Sequence, residues 1–421
     1  MAEIGKVEIG KAEMSGNGMQ SVEAALAALL ESLSPMDAEC LDVDKAAGRV
    51  LAEDVNAQHD VPPADNSAMD GYALRAADAG RILPVSQRVA AGHSPQPLAP
   101  DSCARIFTGG EIPPGADCVV MQERVEECAD GMRIPADIPT GDNVRRRGRD
   151  VQRGKRLLPA GTRLEAAALG HLAGQGVTEA AVRRRPRVAL LSTGDEIIDP
   201  GTPLRPGQIY NSNRPMLKRL LERFGAEVVM AVSVSDNFEA TCQTLRQAAE
   251  QADVVVSTGG VSVGEEDHVK RALESLGQLD LWRLAMRPGK PLALGRLPRS
   301  AENTDKGEAR FVGLPGNPVS GFVGAWIFLR PLLGALLGCP ALSSLPRLHV
   351  RAGFATSTQA RRHYMRVMLE FGATGIVAQA FEDQNSAVLS SCVEADALAI
   401  IPANSTIEQG EVIECLWLIE G

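Results

Sequence analysis

The spacing of apolar and polar positions changes several times along the chain. Residues 20–33 carry apolar side chains at helical spacing behind Ser21, which predicts a helix with a serine N-cap. Residues 61–140 are instead rich in Pro, Gly and Asp with only short apolar runs, a pattern typical of a small β domain. Residues 1–19 are charged and Gly-rich, and we expect a disordered lead-in there.

Continuous apolar runs alternate with amphipathic stretches between residues 187 and 296. The runs RVALL, AEVVMAVSV and DVVVS predict buried strands, and the stretches NRPMLKRLLERFG and NFEATCQTLRQAAEQ predict helices. This alternation favours a parallel sheet with helices on both faces, in which ligands bind at the carboxyl ends of the strands. Residues 318–337 add a long apolar helix, and the alternating short runs after it predict a second small β domain.

The composition is that of a soluble globular protein with an acidic balance. Hydrophobic residues make up 44% of the chain, and the formal net charge is −10. The apolar runs FVGAWIFL and LLGALLG are divided by Arg330 and Pro331, and neither reaches the length of a membrane span. Because the N-terminus also lacks an apolar signal core, we expect a cytoplasmic protein without membrane contact. The acidic charge and the 4% aromatic content disfavour nucleic-acid binding.

Cysteine spacing and local charge add two further expectations. The eight cysteines form no C-x-x-C pair, so reduced and mostly buried thiols are expected rather than a zinc site or a disulfide framework. Basic residues cluster in RRRGRDVQRGKR (145–156) and RRRPR (183–187). Such clusters on an acidic protein suggest either a small anionic ligand or a solvated linker.

Acidic side chains follow each of three predicted strands, in STGDE, SVSDN and STGGVSVGEED. Bare backbone N–H groups at Gly259 and Gly260 could approach an anion, and carboxylates beside an anion need a bridging hard cation such as Mg²⁺. The glycine-rich segment alone fits equally well a tight turn followed by acids at a helix N-terminus. Because Glu196, Asp236 and Asp267 end neighbouring strands, a metal and phosphate site is favoured.

Two turns later in the chain could bind oxyanions. RLAMRPGKPLALG carries Arg283, Arg287 and Lys290 around a Pro-Gly turn, although a basic hairpin tip would have the same pattern. GLPGNPVS leads into the long helix, whose N-terminus is a candidate anion seat. The chain contains no P-loop or Rossmann motif and suggests no Ser-His-Asp or Cys-His arrangement. Binding, positioning and metal assistance are therefore favoured over nucleophilic catalysis.

Six ordered motifs resemble the MoeA family of molybdopterin molybdotransferases. They are DNSAMDGYA, RRRGRD, STGDE, STGGVSVGEED, RPGKP and GLPGNPVS, and the resemblance runs from about residue 20 to the C-terminus. Related domains are the E domains of plant Cnx1 and of gephyrin. The α/β segment also resembles the smaller MogA family, which adenylylates molybdopterin, but the flanking β domains favour MoeA.

The resemblance implies an α/β plus β fold with several domains. We expect a discontinuous linker domain at 20–60 and 141–185 and a β-rich inserted domain at 61–140. A MogA-like, parallel-sheet α/β domain would follow at 186–338, and a C-terminal β domain at 345–421. The implied assembly is a homodimer whose cleft lies between the α/β domain of one subunit and the β-rich domain of the other.

The implied reaction joins molybdate to adenylylated molybdopterin. The phosphoanhydride would be cleaved with the help of Mg²⁺, AMP would be released, and molybdenum would remain on the dithiolene. The implied protein partners are a molybdopterin adenylyltransferase and molybdoenzyme chaperones. Two alternatives stay open: an adenylyltransferase that uses ATP and molybdopterin, and a dimeric scaffold that binds a partner.

The resemblance also assigns roles to individual residues. Within DNSAMDGYA, Asp70 is given the functional role and Asp65 a structural one. Arg283 and Arg287 stand where the family often has lysines, which keeps the charge but changes the shape of an oxyanion contact. The expected catalytic residues are Asp70, Thr108, Asp150, Glu196, Asp236 and Asp267, of which Glu196, Asp236 and Asp267 would hold the metal. The expected substrate-binding residues are Ser192, Thr193, Gly194, Gly259, Gly260, Ser262, Arg287, Lys290, Pro315, Gly316, Asn317, Arg361 and Ser386.

Overall fold

The computed structural model describes residues 19–260, 268–299, 307–343, 346–373 and 375–418. Two expected site residues, Ser262 and Asp267, lie outside these ranges, as does the expected lead-in before Met19. All other residues assigned a role in the site fall inside them.

The first part of the chain forms the predicted N-terminal helix and many short strands. Ser21 Oγ accepts a hydrogen bond from the backbone N–H of Ala24 at 3.0 Å, which confirms the predicted N-cap. The elements are α1 (Val22–Leu30), β1 (Ala38–Asp42), β2 (Val55–Asn56), β3 (Asn66–Ser67), β4 (Gly71–Leu74), β5 (Ile82–Leu83), β6 (Val85–Val89), β7 (Cys103–Ile106), β8 (Cys118–Met121), β9 (Glu126–Cys128), β10 (Gly131–Arg133), β11 (Val144–Arg145), β12 (Arg156–Leu158), α2 (Ala166–Ala173) and β13 (Glu179–Arg183), with single 3₁₀ turns at Val43–Lys45, Ala76–Asp78 and Gln122–Arg124.

Strand pairing in this part joins residues that are far apart in the chain. β1 pairs antiparallel with β13, and β2 pairs antiparallel with β12. Between them, β6, β7, β4 and β8 form one sheet in that order, and β5, β10 and β9 form another. The segment from β4 to β10 is therefore inserted between strands that pair with each other.

The central part of the chain forms a mixed sheet with strand order β17-β14-β18-β22-β21-β19. β17, β14, β18 and β22 are parallel, as predicted, whereas β21 runs antiparallel to both of its neighbours, β22 and β19, because short connections join it to each of them. The elements are β14 (Arg187–Thr193), β15 (Ile197–Ile198), β16 (Ile209–Tyr210), α3 (Asn213–Arg223), β17 (Glu227–Val234), α4 (Phe238–Gln251), β18 (Val254–Thr258), α5 (His268–Leu276), β19 (Gln278–Arg283), β20 (Met286–Arg287), β21 (Pro291–Pro298), β22 (Glu308–Leu314), α6 (Pro318–Gly324), a π-helical segment (Ala325–Leu329), α7 (Arg330–Leu337) and α8 (Pro340–Ser343).

Helices cover both faces of this sheet. Successive residues of a strand point to opposite faces, so β14 contributes Leu190 to one hydrophobic cluster and Leu191 to another. The first cluster includes Leu217 of α3 and the long helix, and the second includes Leu245 of α4. The predicted α/β layering is confirmed.

The predicted long apolar helix is confirmed at Pro318–Leu337, and it joins the two apolar runs on either side of Arg330 and Pro331. Its 20 residues are long and apolar enough to cross a membrane by length and composition, which corrects the expectation that neither run reaches that length. In the most apolar 18-residue stretch of this helix, 89% is buried within the protein. A helix buried in the core is mostly apolar, as a membrane helix is, because most of its neighbours are apolar.

The C-terminal part forms a closed sheet. Its strands follow the order β25-β26-β23-β29-β27, and β27 pairs again with β25. β20 extends this sheet by pairing in parallel with the start of β25, and the N–H of Arg362 donates to the carbonyl of Ala285 at 2.9 Å. The elements are β23 (Arg347–Ala352), β24 (Thr356–Ser357), β25 (Arg362–Gly372), β26 (Gly375–Ala380), α9 (Ser390–Glu394), β27 (Ala397–Ile401), β28 (Thr406–Ile407) and β29 (Val412–Trp417).

Candidate functional site

A large open cavity lies at the carboxyl edge of the parallel strands, where the fold predicts a ligand site. Its volume is about 1110 Å³, and its walls include the ends of β14, β18 and β22, the β20–β21 loop, and two segments of the C-terminal sheet. The residues from the expected set that line it are Ser192, Thr193, Gly194, Glu196, Asp236, Gly259, Gly260, Arg287, Lys290, Pro315, Gly316, Asn317, Arg361 and Ser386.

Glycines at the strand ends allow the backbone segments to approach closely. Gly259 has φ +84°, and a Cβ atom there would lie 2.8 Å from Thr193 Oγ1. That hydroxyl in turn donates to the carbonyl of Thr258 at 3.3 Å, so it joins the ends of β14 and β18. A Cβ atom at Gly194 would lie 2.5 Å from Glu196 Oε2. Gly259 therefore requires glycine for space as well as for backbone conformation, whereas Gly194, at φ +129°, requires it for backbone conformation.

Asp195 and Asp236 connect the ends of β14 and β17. The N–H of Asp195 donates to Asp236 Oδ2 at 3.3 Å, and the N–H of Asp236 donates to Asp195 Oδ1 at 3.1 Å. Only Asp236 of this pair lines the cavity, together with Glu196. Each carboxylate thus has a structural role, and Asp236 Oδ1, which accepts no hydrogen bond from the described residues, is available to a ligand in the cavity.

Carboxylate oxygens at this edge fit the chemistry of Mg²⁺, which takes one or two protein carboxylates along with waters and phosphate oxygens. Within the described ranges, no group of three or more His, Cys, Asp or Glu side chains is arranged to hold a metal. Asp267, the third acid of the expected metal set, lies outside them. Glu196 and Asp236 are therefore the described residues that could hold the ion.

The opposite wall of the cavity is basic. It contains Arg287 and Lys290 from the β20–β21 loop and Arg361, which precedes β25. Parallel pairing of β20 with β25 holds the two segments side by side. No carboxylate of the described residues lies within ion-pair distance of these three side chains. Their charges are therefore available to an anionic ligand.

The pKa of the buried His363 is affected by the positive charges of this wall. His363 is 7% exposed, and its pKa is lowered from 6.5 to about 4, first by burial and then by Arg287, Arg366 and Arg361. The imidazole is therefore neutral at physiological pH. The arginines that oppose protonation of His363 would attract an anionic ligand.

The N-terminus of the long helix meets a loop of the C-terminal sheet. Asn317 is the N-cap, Pro318 occupies the first helical position, and the N–H of Val319 donates to the carbonyl of Ser386 at 3.1 Å. One backbone N–H of the predicted anion site at this helix N-terminus, that of Val319, is thus already bonded to a protein carbonyl. This contact places Ser386 at the cavity although it lies in another domain from the helix.

Two asparagines of the cavity wall were not among the expected residues. Asn211 Oδ1 caps α3 by accepting from the N–H of Arg214 at 3.0 Å, and Asn213 Nδ2 donates to the carbonyl of Gly316 at 2.7 Å. Both are buried and line the cavity. The segment YNSNR does contain a sequence signal for these residues, because its asparagines directly precede an amphipathic helix. Only the last two residues of this segment enter the helix predicted from the sequence, as its start.

Asp70, Thr108 and Asp150 lie away from this cavity in the single chain. Asp70 Oδ1 accepts from both the N–H and the hydroxyl of Thr108 at 2.7 Å, and these bonds hold the pKa of Asp70 below its ordinary value. Asp150 lies in a separate depression of about 310 Å³ that also includes His171. Asp70 and Thr108 thus contact each other, but the chain alone does not bring either residue to the basic wall.

The basic run at 145–156 is partly neutralised by acids from the preceding segment. This favours the solvated-linker interpretation for those arginines over a free anion site. Asp65 belongs to this set, and it accepts a further bond from the N–H of Arg147 at 2.8 Å, in keeping with its structural role. The pairs are Arg146 with Asp65, Arg147 with Asp60, and Arg156 with Asp54.

The cysteines are all free, and most are buried. Burial raises the pKa of Cys103 to about 11 and that of Cys415 to about 12, so neither is a thiolate at physiological pH. The expectation of reduced, inert thiols agrees with this arrangement.

Comparison with known proteins covers nearly the whole chain. Family models match at residues 20–176 (MoeA N-terminal region, domain I and II), 189–335 (probable molybdopterin binding domain) and 350–418 (MoeA C-terminal region, domain IV). A molybdopterin molybdenumtransferase of Haemophilus influenzae is 41% identical over 76% of this chain and 78% of its own length. One of Nostoc sp. is 36% identical over 91% and 90%.

Solved structures agree with these sequence relatives. A molybdopterin biosynthesis MoeA protein of Pyrococcus horikoshii superimposes with a TM-score of 0.80 at 26% identity, covering 95% of this chain and all of that one. A second structure of a MoeA protein from that organism gives a TM-score of 0.77 at 30% identity, covering 96% of this chain and all of its own. The family models, the full-length relatives and the shared fold together show that the chain belongs to the MoeA family.

Proposed function

We propose that this protein is a molybdopterin molybdenumtransferase that inserts molybdate into adenylylated molybdopterin and releases AMP. The observation that carries the proposal is one cavity with acids on one side and bases on the other. Close-packed glycine turns, Glu196 and Asp236 form the first side. Arg287, Lys290 and Arg361, which have no ion-pair partner among the described residues, form the second. Such a cavity suits a ligand that carries both phosphate groups and an added oxyanion. The names of the curated relatives support the same reaction.

The charges of the two substrates set the task of the basic wall. The substrate carries phosphates, molybdate adds two negative charges, and like charges at contact distance repel by several kcal/mol in a partly dry site. Arg287, Lys290 and Arg361 would neutralise the oxyanion, and the exposed backbone at Gly259 and Gly260 would receive the phosphates. The protein then contributes mainly positioning of the two reactants.

Mg²⁺ is proposed as the cofactor, held by Glu196 and Asp236 together with Asp267. When bound, the ion would supply positive charge next to the phosphoanhydride and stabilise the charge that develops on the leaving phosphate. Asp195 keeps Asp236 in place through their paired backbone contacts.

A homodimer is part of the proposal. Asp70, Thr108 and Asp150 do not line the cavity of their own chain, and in a dimer the β-rich domain of a second copy could close it from outside. Light scattering tests this directly, and a monomeric mass would contradict it. We further propose a cytoplasmic location, supply of substrate by a molybdopterin adenylyltransferase, and delivery of product to molybdoenzyme chaperones.

The reaction itself is tested by following AMP release from adenylylated molybdopterin. We expect release only when molybdate and Mg²⁺ are both present. Consumption of ATP with molybdopterin in the absence of molybdate would instead indicate an adenylyltransferase. A scaffold that lacks the activity would show no AMP release under any of these conditions.

A further inference from the structure

Arg366 is a fully buried arginine that donates hydrogen bonds to one loop of the C-terminal sheet and to Ser391 of α9. Its side chain is 0% exposed, and Nε donates to Ser391 Oγ at 2.9 Å. The terminal nitrogens donate to the carbonyls of Asp383, Gln384 and Asn385, each at 3.1 Å. A guanidinium presents its donors in a rigid planar fork, so these acceptors are held in one fixed arrangement.

The backbone of Arg366 is bound to the same loop. Its N–H donates to Gln384 Oε1 at 3.0 Å, and its carbonyl accepts from Gln384 Nε2 at 2.9 Å. Gln384 also donates to the carbonyl of Phe381 at 3.1 Å. The loop is therefore attached to β25 through both the side chain and the main chain of Arg366.

This loop forms part of the cavity wall. Gln384, Asn385 and Ser386 all line the cavity, and the carbonyl of Ser386 receives the N–H of Val319 at the start of α6. The position of the loop therefore decides where its polar groups meet a ligand. Arg366 itself does not line the cavity, so it does not contact a ligand bound there.

The charge of Arg366 has no acidic partner within ion-pair distance in the part of the chain that the structure describes. Its acceptors are neutral carbonyls and a hydroxyl, so the positive charge is solvated but not cancelled. Salt screens a buried charge far less than an exposed one. After burial and Arg287, Arg366 is the next cause that lowers the pKa of His363, beside the basic wall.

We propose that Arg366 is a positioning residue for an oxyanion site, which holds the 383–386 loop against the cavity and adds an uncancelled positive charge behind it. The ligand it serves is a tetrahedral dianion. This inference rests on the proposed function for the identity of that dianion, which is molybdate or a phosphate group of the pterin substrate.

The first test separates the fork geometry from the charge. Arg366→Lys keeps the charge but cannot reach the same set of acceptors, so we expect the KM for molybdate to rise about ten-fold with kcat within about two-fold. Arg366→Met loses both the charge and the hydrogen bonds, so the KM for molybdate should rise by more than in Arg366→Lys. An unchanged KM for molybdate in a folded Arg366→Lys protein overturns the proposal.

Arg330 offers a matched control. It is also buried, at 2% exposed, and donates to the carbonyls of Leu342 and Ala341 at 2.7 and 2.8 Å, far from the cavity lining. Arg330→Lys should lower the melting temperature without changing the KM for molybdate. If both lysine variants raise that KM equally, the effect of Arg366 is a general loss of stability and the proposal is wrong.

Ser391→Ala keeps the proposal testable if Arg366 variants do not fold. It removes one acceptor of the fork and leaves the charge and the other bonds in place, so we expect a KM for molybdate raised about two- to three-fold in a stable protein. No change in KM in this variant, when Arg366→Lys is unfolded, counts against positioning.

Direct anion titration separates this inference from the proposed function. Calorimetric titration of wild type and Arg366→Lys with molybdate, and separately with inorganic phosphate, needs no pterin substrate. Weaker binding of molybdate alone identifies the metal oxyanion as the ligand, and weaker binding of phosphate alone identifies the phosphate group. Equal affinities in both proteins for both anions overturn the proposal, whereas absent AMP release with altered anion affinity defeats only the proposed function.

Discussion

Glu23 on α1 forms an ion pair with Arg362, which directly follows Arg361 in the cavity wall. Gln20, just before the same helix, receives the N–H of Ala285 on its carbonyl at 2.9 Å and donates its own N–H to the carbonyl of Arg283 at 2.8 Å. The N-terminal helix therefore braces both segments that carry the basic wall.

Glu23→Gln should weaken this brace only slightly. The side chain of Glu23 is 62% exposed and that of Arg362 34%, and ion pairs of such exposure contribute about 0.2–1 kcal/mol. We expect a decrease of about 0.5 kcal/mol in the free energy of unfolding, measured by urea denaturation, and a smaller decrease at high salt. A loss of several kcal/mol would mean that the pair is more strongly coupled to the wall than its exposure indicates.

Gly259→Ala should impair both stability and ligand binding. The new Cβ would lie 2.8 Å from Thr193 Oγ1 at a backbone φ of +84°, so the ends of β14 and β18 must separate. Gly154→Ala is the matched control, because Gly154 has φ +79° with no atom within 4 Å of the added Cβ. We expect the control to lose about 1 kcal/mol from backbone strain alone, with unchanged KM values, and Gly259→Ala to lose more and to raise the KM for the adenylylated substrate.

Asp236→Asn should reduce activity through the metal rather than through the fold. An asparagine oxygen can still accept the N–H of Asp195, so the paired backbone contact survives while the cavity-lining charge is lost. We expect kcat/KM to fall about 100-fold or more and the Mg²⁺ concentration for half-maximal rate to rise. Asp195→Asn, which alters a carboxylate outside the cavity lining, should stay within about three-fold of wild type.

Asp70→Asn and Asp65→Asn should separate function from structure. Asp70 lies beside Thr108 with one oxygen uncommitted by the described residues, and its loss should abolish molybdate insertion in a folded dimer. Asp65 binds Arg146 and the N–H of Arg147, so its replacement should mainly lower the melting temperature. Activity and melting temperature measured on both variants decide the matter, and similar behaviour of the two would show that the division is wrong.

Acidification should destabilise the protein through His363. Its pKa is about 4 in the folded state against 6.5 as the ordinary value, so between these pH values the unfolded chain binds more protons. The free energy of unfolding should therefore fall as pH drops from 6.5 to 4, by up to about 3 kcal/mol. His363→Gln should flatten this part of the stability profile, whereas His349→Gln, at an exposed position, should leave it unchanged.

The α/β core could be predicted from the sequence because its signals are local. Continuous apolar strands such as RVALL, followed by polar turns, fix both the strand and the edge where the turn lies. The reversed direction of β21 could not be predicted in this way, since it depends on which strands the chain joins by short connections. Closure of the C-terminal sheet likewise depends on the long-range pairing of β27 with β25.

In the candidate site, too, residues in turns could be predicted from local sequence, whereas a residue placed by long-range contacts could not. Gly259, Lys290 and Asn317 stand in turns whose composition shows that the backbone is exposed to a ligand. Arg366 gave no such signal, because an arginine inside a strand is ordinarily assigned to the surface. Its burial becomes intelligible only with the 383–386 loop in place, and that contact joins residues of two different elements.

The two residues of β20 link the two large sheets. They lie in the chain between β19 and β21 of the α/β sheet, and they pair with β25 of the C-terminal sheet. Any hinge motion between the α/β domain and the C-terminal sheet would have to break main-chain hydrogen bonds directly beneath Arg287 and Arg361. The spacing between the backbone segments that carry Arg287 and Arg361 is therefore fixed by main-chain hydrogen bonds rather than by side-chain contacts.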